Sequence, residues 1–394
     1  ITLIAITSVI ITLLSAPFTG AFLKLMQVPN YDLAGNYTGV FDMAKPYLFI
    51  LFLGSAANGF YNVVSGIIRG LGDSIFPLIV LIGTVVLNIF LDILFVAPWG
   101  FNMGIAGAAW ATIIAQYLSA GVSVLKLVLM RKGISFTAQT LRLKSGTVKL
   151  ITRLGLPTGI QMAVMFASNL ITTPFINRMG GMVMATLTAT MSIDGFAVLP
   201  SQSFSMAAST YVGQNIGAGR WDRVKKGTLT CFLMCLIFTA VMVAAILLFG
   251  ENLYRLFIDA ADKDRADIIS LGMNLIVIML PAYFLMVVNM TYSGVMRGAG
   301  DATGTMWISM IINVFLKVPL TIFWINMSAK YYDPSIVKAG YTPNGDIRTM
   351  FYAMLVCFGI GCGITMLYYR HGKWKTKSIV GGPPADEPSA ALAE

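Results

Sequence analysis

Charge is the scarcest commodity in this chain. Only 11% of its 394 residues are Asp, Glu, Lys or Arg, against about 25% in a soluble domain whose surface must be hydrated. That shortage excludes a water-soluble globular enzyme. Histidine is nearly absent: His371 stands alone in a basic stretch near the C-terminus, leaving histidine-based catalysis and zinc ligation almost nothing to work with. The four cysteines, Cys231, Cys235, Cys357 and Cys362, all sit in apolar segments without metal-type CxxC spacing, and none is placed for an extracellular disulfide. No GxxxxGK[ST] loop occurs, so the chain carries no ATP-driven engine of its own. The apolar opening ITLIAITSVIITLLSAPF lacks the positive start and small-residue cleavage site of a signal peptide. Its first residue is already inside a hydrophobic run, so the protein is expected to begin upstream of Ile1.

What is present is apolar. Hydrophobic residues make up 57% of the chain, with a mean hydropathy of +0.78. Its 38 glycines and 15 prolines, many inside apolar runs, suit membrane helices. A spanning helix needs about 20 apolar residues. Ten segments qualify: 1–26, 44–68, 75–98, 104–130, 148–178, 182–212, 225–250, 268–296, 303–328 and 349–369. Numbering the loops alternately puts 17 basic residues on one side and nine on the other, where nine acids balance them. The positive-inside rule makes the first side, and with it the C-terminus, cytoplasmic. The formal charge of +10 is thereby a matter of topology and gives no reason to expect nucleic acid.

Two loops on the cytoplasmic side match. SGIIRGLGD (65–73) recurs 228 residues later as SGVMRGAGD (293–301), with six of nine identities. NIFLD from Asn88 pairs with NVFLK from Asn313 at an offset of 225. This is a parallel duplication with both halves in one orientation. The expected organisation is an N-lobe with four spans (1–131), a cytoplasmic inter-lobe loop (132–147), a C-lobe with six spans (148–370) and a disordered cytoplasmic tail (371–394). The offset implies that about 80 residues, enough for two spans, precede Ile1 in an intact protein of six plus six helices. In RG-x-GD, glycine can end a helix in the left-handed region while arginine caps its last carbonyls. The alternative is a gate in which Arg69 with Asp73, and Arg297 with Asp301, latch the cytoplasmic face.

Asp92, Asp194 and Lys317 fall at membrane depth. Each costs about 2.5–3.5 kcal/mol to insert and so needs a partner or a task. Thr84, Asn88 and Asp92, spaced by four, form one polar helical stripe, and Ser309, Asn313, Lys317 and Thr321 form its sister. The scaffold repeats, but Asp92 and Lys317 carry opposite charges at equivalent positions. Asn88 and Asp92 offer oxygens suited to a hard cation, to which Thr112 on the next helix can add a hydroxyl. Plain interhelical hydrogen bonding is the competing account. Gln161, Asn169, Thr173 and Asn177 form one further stripe and Thr186, Thr190 and Asp194 another. Either lines a polar cavity or packs helices. The 24 methionines and 24 phenylalanines suit a pliable apolar binding wall, and Pro157, Pro200, Pro281 and Pro319 are expected to interrupt spans.

The segments SGIIRGLGDSIFPLI, NIFLDILFV, GIAGAAWAT and VGQNIGAGRWDRVKKG together resemble the multidrug and toxic compound extrusion (MATE) family of cation-coupled antiporters. The likeness runs from Ile1 to about Arg370. It implies an all-α polytopic membrane protein with two six-helix lobes in a V-shaped duplicated transporter fold, the first two helices lying outside this chain. It further implies a non-enzymatic, cofactor-free antiporter of the inner cell membrane, a monomer that exports amphipathic organic cations or drugs in exchange for inward Na+ or H+. Its partners would be the lipid bilayer, the organic cation and the coupling cation, with no nucleic acid. The cation-binding residues carried over by the resemblance are Asn88, Asp92, Thr112 and the carbonyl of Ala108. The substrate cavity is expected to involve Gln161, Asn169, Asp194, Asn313 and Lys317. Two departures stand out. The family's Asp on the first helix has no counterpart here, and one branch places a Glu where Met165 follows Pro157. The branch with GLP-x-G-I-Q and S-x-D-G-F, as at Ser192 to Phe196, fits better. A lipid-linked oligosaccharide flippase of the same superfamily is the alternative.

Overall fold

The computed structural model describes residues 2–15, 17–25, 39–130, 142–260, 263–336 and 339–377. Most of the expected inter-lobe loop (132–141) and the tail from 378 onward lie outside these residues. The chain forms two compact units, Ile1–Val148 and Lys149–Glu394. Among the described residues, nine helical stretches are long and apolar enough to cross a membrane.

The first unit contains α1 (Thr2–Ser15), α2 (Thr19–Leu25), α3 (Val40–Gly70), α4 (Ile75–Val96) and α5 (Gly104–Leu129). The single span expected over 1–26 is instead two shorter helices. Pro17 lies in the turn between them, where it withholds an N–H from the helical ladder. Helix α3 packs along α5, and α4 lies against α5. A Cβ on Gly54 would come within 2.2 Å of the Ile113 side chain, which explains the close approach of α3 to α5.

The second unit begins on α6 (Ser145–Asn177) and continues through α7 (Gly181–Gly217), α8 (Trp221–Phe257) and α9 (Arg265–Gly298). The next span is interrupted: α10 (Ala302–Met310) gives way to a π-turn over Ile311–Leu316 before α11 (Lys317–Lys330), and α12 (Ile347–His371) follows a two-residue hairpin. Helices α7 and α9 pack most extensively. Cβ atoms on Gly294 and Gly298 would lie 2.3 and 2.4 Å from the carbonyl oxygens of Ser205 and Ser209, so only glycine permits this backbone contact.

The π-turn has a local cause. Pro319 cannot donate to the carbonyl four residues back, and its ring crowds that carbonyl. The helix widens just ahead of it, so that the Lys317 N–H bonds the Ile312 carbonyl five residues earlier. Helix α4 has Leu94 at the equivalent position and runs as regular α-helix throughout.

Both copies of RG-x-GD close a helix in the same way. Gly72 and Gly300 adopt φ of 96° and 100°. Asp73 N–H bonds the Ile68 carbonyl at 3.1 Å, and Asp301 N–H bonds that of Met296 at 2.9 Å, both spanning a Schellman turn. Each aspartate then accepts from a backbone N–H at the start of the next helix, Phe76 for Asp73 and Gly304 for Asp301. The Arg–Asp latch is not formed within either motif. Asp73 pairs with Lys126 at 3.8 Å, Asp301 pairs with Lys377 at 2.9 Å, and Arg297 donates to the Ser205 hydroxyl. The aspartate side chain is committed to capping, and in the second copy Arg297, one turn earlier, is drawn to α7 instead.

The tail expected to be disordered from 371 is ordered at its start. Lys373–Lys377 forms a 3-10 turn because Trp374 is an apolar anchor: it is buried, stacks on Tyr369 with centroids 5.2 Å apart and donates its indole N–H to the Tyr369 carbonyl. The turn delivers Lys377 to the fully buried carboxylate of Asp301, which also accepts from the Tyr368 hydroxyl at 2.6 Å. Partial burial pulls the Lys377 ammonium down, but the hydrogen bond and charge of Asp301 outweigh it and hold its pKa above the ordinary lysine value.

Candidate functional site

In the first unit, Asn88 and Asp92 lie one turn apart on α4 and therefore share a face. The Asn88 amide nitrogen and the Asp92 Oδ1 are both shielded from solvent and have no hydrogen-bond partner among the described residues. Their neighbour on the stripe, Thr84, is satisfied locally by the Val80 carbonyl at 2.7 Å. On α5, the Thr112 hydroxyl donates to the Ala108 carbonyl at 2.9 Å, which leaves the oxygen lone pairs of Thr112 free to accept or to ligate. The four residues named from the sequence thus fall on two adjacent helices. Two of them each carry a shielded polar atom left unpaired among the described residues, a costly condition in an apolar setting.

In the second unit, all five residues expected at a substrate cavity line one space of about 370 Å³: Gln161, Asn169, Asp194, Asn313 and Lys317. Their positions come from α6, α7 and the interrupted span. Lys317, buried at 7% exposure, donates to the Asn169 side-chain oxygen at 2.8 Å. Asp194 accepts the phenolic hydroxyl of Tyr283 on α9. Asn313 bonds back to the Ser309 carbonyl, while its own carbonyl accepts the Ser168 hydroxyl at 2.8 Å. That last bond satisfies backbone within the π-turn. Gln161 keeps its side-chain oxygen buried and unpartnered among the described residues.

The stripes do not reach the cavity along their full length. Ser309, Asn313 and Lys317 line it, whereas Thr321, past the π-turn, is buried away from it. Thr186 and Thr190 are packed in the interior, Thr190 sharing a 2.6 Å hydrogen bond with the Tyr254 hydroxyl, and only Asp194 of that stripe faces the cavity. Thr173 bonds its own helix at the Asn169 carbonyl. Sequence periodicity missed Tyr283, whose partner is 89 residues away, and Asn289, which lines the cavity and binds the Thr365 hydroxyl. An asparagine inside an apolar span was a signal for the latter; Tyr283 offered none. The apolar wall consists largely of Met165, Met191, Met286, Met290, Met350, Met354 and Phe358. Thioethers of this kind adapt to varied apolar shapes.

The MatE family profile matches residues 1–94 and 157–323. A probable multidrug resistance protein of Bacillus subtilis, YpnP, is 29% identical over 367 residues, covering 91% of this chain and 73% of that relative. The probable multidrug resistance protein NorM of Thermotoga maritima is 26% identical over 339 residues, with 86% and 68% covered. Among solved structures, a MATE protein in complex with MaL6 superposes with a TM-score of 0.79 at 20% identity, covering 94% of this chain and 76% of that one. A MOP superfamily transporter from Pyrococcus furiosus superposes with a TM-score of 0.80 at 19% identity, over 95% and 77%. The fold is therefore that of solved MATE transporters. With the profile match running through both copies of the repeated corner and its following stripe, the chain belongs to the MatE family of multidrug efflux transporters.

Proposed function

We propose that this protein is a secondary antiporter that exports amphipathic organic cations in exchange for inward Na+ or H+. The coupling cation would be held by Asn88, Asp92, Thr112 and the Ala108 carbonyl, and the cargo by the methionine-walled cavity of the second unit. One observation carries the coupling assignment: on neighbouring turns of α4, the Asn88 amide nitrogen and the Asp92 Oδ1 are shielded from solvent and unpartnered among the described residues, so a cation entering there supplies the partner that Asp92 lacks. A single carboxylate among neutral oxygens suits a monovalent ion. The chemistry asked of the cavity is binding and release, which polar anchors in a soft apolar wall support. The relatives named as multidrug resistance proteins favour this reading over a lipid-linked oligosaccharide flippase. A flippase would need a basic cluster for pyrophosphate, and Lys317 is the single basic residue lining the cavity among the described residues.

The charge bias of the loops supports a cytoplasmic C-terminus. The division near residue 148 is in keeping with lobes over 1–131 and 148–370 joined by the loop between them.

The test is efflux of a fluorescent organic cation from vesicles containing the full-length protein, with sodium and proton gradients imposed separately. One gradient should drive export, and Asp92→Asn should lower the driven rate on the order of tenfold or more by removing the charge that balances the ion. Full gradient-driven export by that variant would sink the coupling-site assignment.

A further inference from the structure

Two ionisable groups line the second-unit cavity among the described residues, Asp194 and Lys317. They are not paired with each other. Asp194 takes the Tyr283 hydroxyl, and Lys317 donates to the amide oxygen of Asn169. An ammonium has three donors and a full charge. A neutral amide satisfies one donor and none of the charge, so Lys317 sits buried without a counter-ion among the described residues. A buried charge in that condition is expensive, and the empty side on which a counter-ion can arrive is the cavity itself.

The charge of the cargo follows. With one acid and one base, the lining carries no net charge. A cargo with a single positive charge meets Asp194 favourably but is repelled by Lys317 in a low-dielectric space. An amphipathic zwitterion meets both: its amine goes to Asp194, and its carboxylate goes to Lys317, displacing or sharing the Asn169 contact. Its apolar body lies on the methionines. We propose that Lys317 is the specificity-determining residue of this cavity and that the preferred cargo is an amphipathic zwitterion bearing an amine and a carboxylate. This rests on the cavity being the cargo site, as proposed above, and narrows the organic cations to those that also carry an acid.

The experiment uses two dyes with one ring system: a rhodamine with a free carboxylate, which is zwitterionic, and its ethyl ester, which is a cation. Binding to the purified full-length protein is read by fluorescence polarisation. Wild type is expected to bind the zwitterion about tenfold or more tightly than the ester, the discrimination a charge-assisted hydrogen bond supplies. Lys317→Met should bring that ratio to about one, chiefly by weakening the zwitterion, while Lys317→Arg should keep most of it. Equal wild-type affinities, tighter binding of the ester, or an unchanged ratio in Lys317→Met would each overturn the proposal. The wild-type ratio alone can overturn the proposal even if Lys317→Met fails to fold, and Lys317→Arg then tests the residue. Export of the same dyes under imposed gradients separates the two claims. Driven export of the ester without preference for the zwitterion refutes the zwitterion proposal and leaves the antiporter standing. Preferential zwitterion binding without driven export refutes the antiporter instead.

Discussion

Helix α4 and the interrupted span α10–α11 are sisters, aligned by NIFLD and NVFLK, yet they are built for opposite charges. In α4 an aspartate is followed by Leu94 and the helix runs unbroken. In its sister a lysine is followed two residues later by Pro319, and the ladder opens into a π-turn. The first keeps a regular helix and leaves the Asn88 amide nitrogen and the Asp92 Oδ1 unpartnered among the described residues. The second recruits α6, with Ser168 on the Asn313 carbonyl and Asn169 on one donor of the Lys317 ammonium, whose charge stays uncompensated among the described residues. A duplicated scaffold has thus acquired two polar sites of different character through one charge change and one proline.

The strongest way to break this comparison is to make α4 copy its sister. Asp92→Lys would place an ammonium where no partner is provided and is expected to abolish gradient-driven export, by on the order of a hundredfold in vesicle assays. Retained export would show that the two stripes are not functionally distinct.

Next in size is a contrast between the repeated glycines. Gly298→Ala forces a Cβ against the Ser209 backbone and should cost about 1–3 kcal/mol by overpacking. Its counterpart Gly70→Ala meets nothing within 4 Å and should be neutral or gain up to about 1 kcal/mol from helix propensity. Thermal melts in detergent compare the two, and equal melting temperatures would refute the assigned packing. Ser168→Ala leaves the Asn313 carbonyl without its donor and should cost about 1–2 kcal/mol. Faster amide exchange confined to 311–317 would localise that loss, and an unchanged melt would mean that the π-turn needs no such support.

The smallest effect concerns the corners. Lys377→Ala removes a partly exposed partner from buried Asp301 and should lower stability by about 1 kcal/mol, whereas Lys126→Ala at the less buried Asp73, over a longer 3.8 Å pair, should do less. The sign with pH is fixed by the raised Lys377 value. The pair contributes fully below the ordinary lysine pKa of about 10.4 and is lost as pH climbs through the higher folded one. The wild-type advantage over Lys377→Ala should accordingly vanish in strongly alkaline melts.

Much of this architecture was legible in the sequence because membrane helices write their length and polar faces into local pattern. The cavity residues Gln161, Asn169, Asp194, Asn313 and Lys317 emerged from periods of four and from charges too costly to be incidental. The misses share a cause in interactions that a period does not encode. The break near Pro17 and the π-turn before Pro319 depend on how a helix absorbs a missing donor. Tyr283 meets Asp194 across 89 residues through packing alone. The order of Lys373–Lys377 rests on one tryptophan finding a buried site in a segment whose composition otherwise reads as solvated.

That short turn has a mechanical meaning. Tyr368 and Lys377, nine residues apart, both grip the carboxylate of Asp301, so the end of the last helix is riveted to the α9–α10 corner from two directions. A rivet removes degrees of freedom: α12 cannot slide or swivel there without tearing ammonium and phenol from a buried anion. The regular ladder of this unit opens instead at the π-turn ahead of Pro319, beside the cavity that Asn313 and Lys317 line.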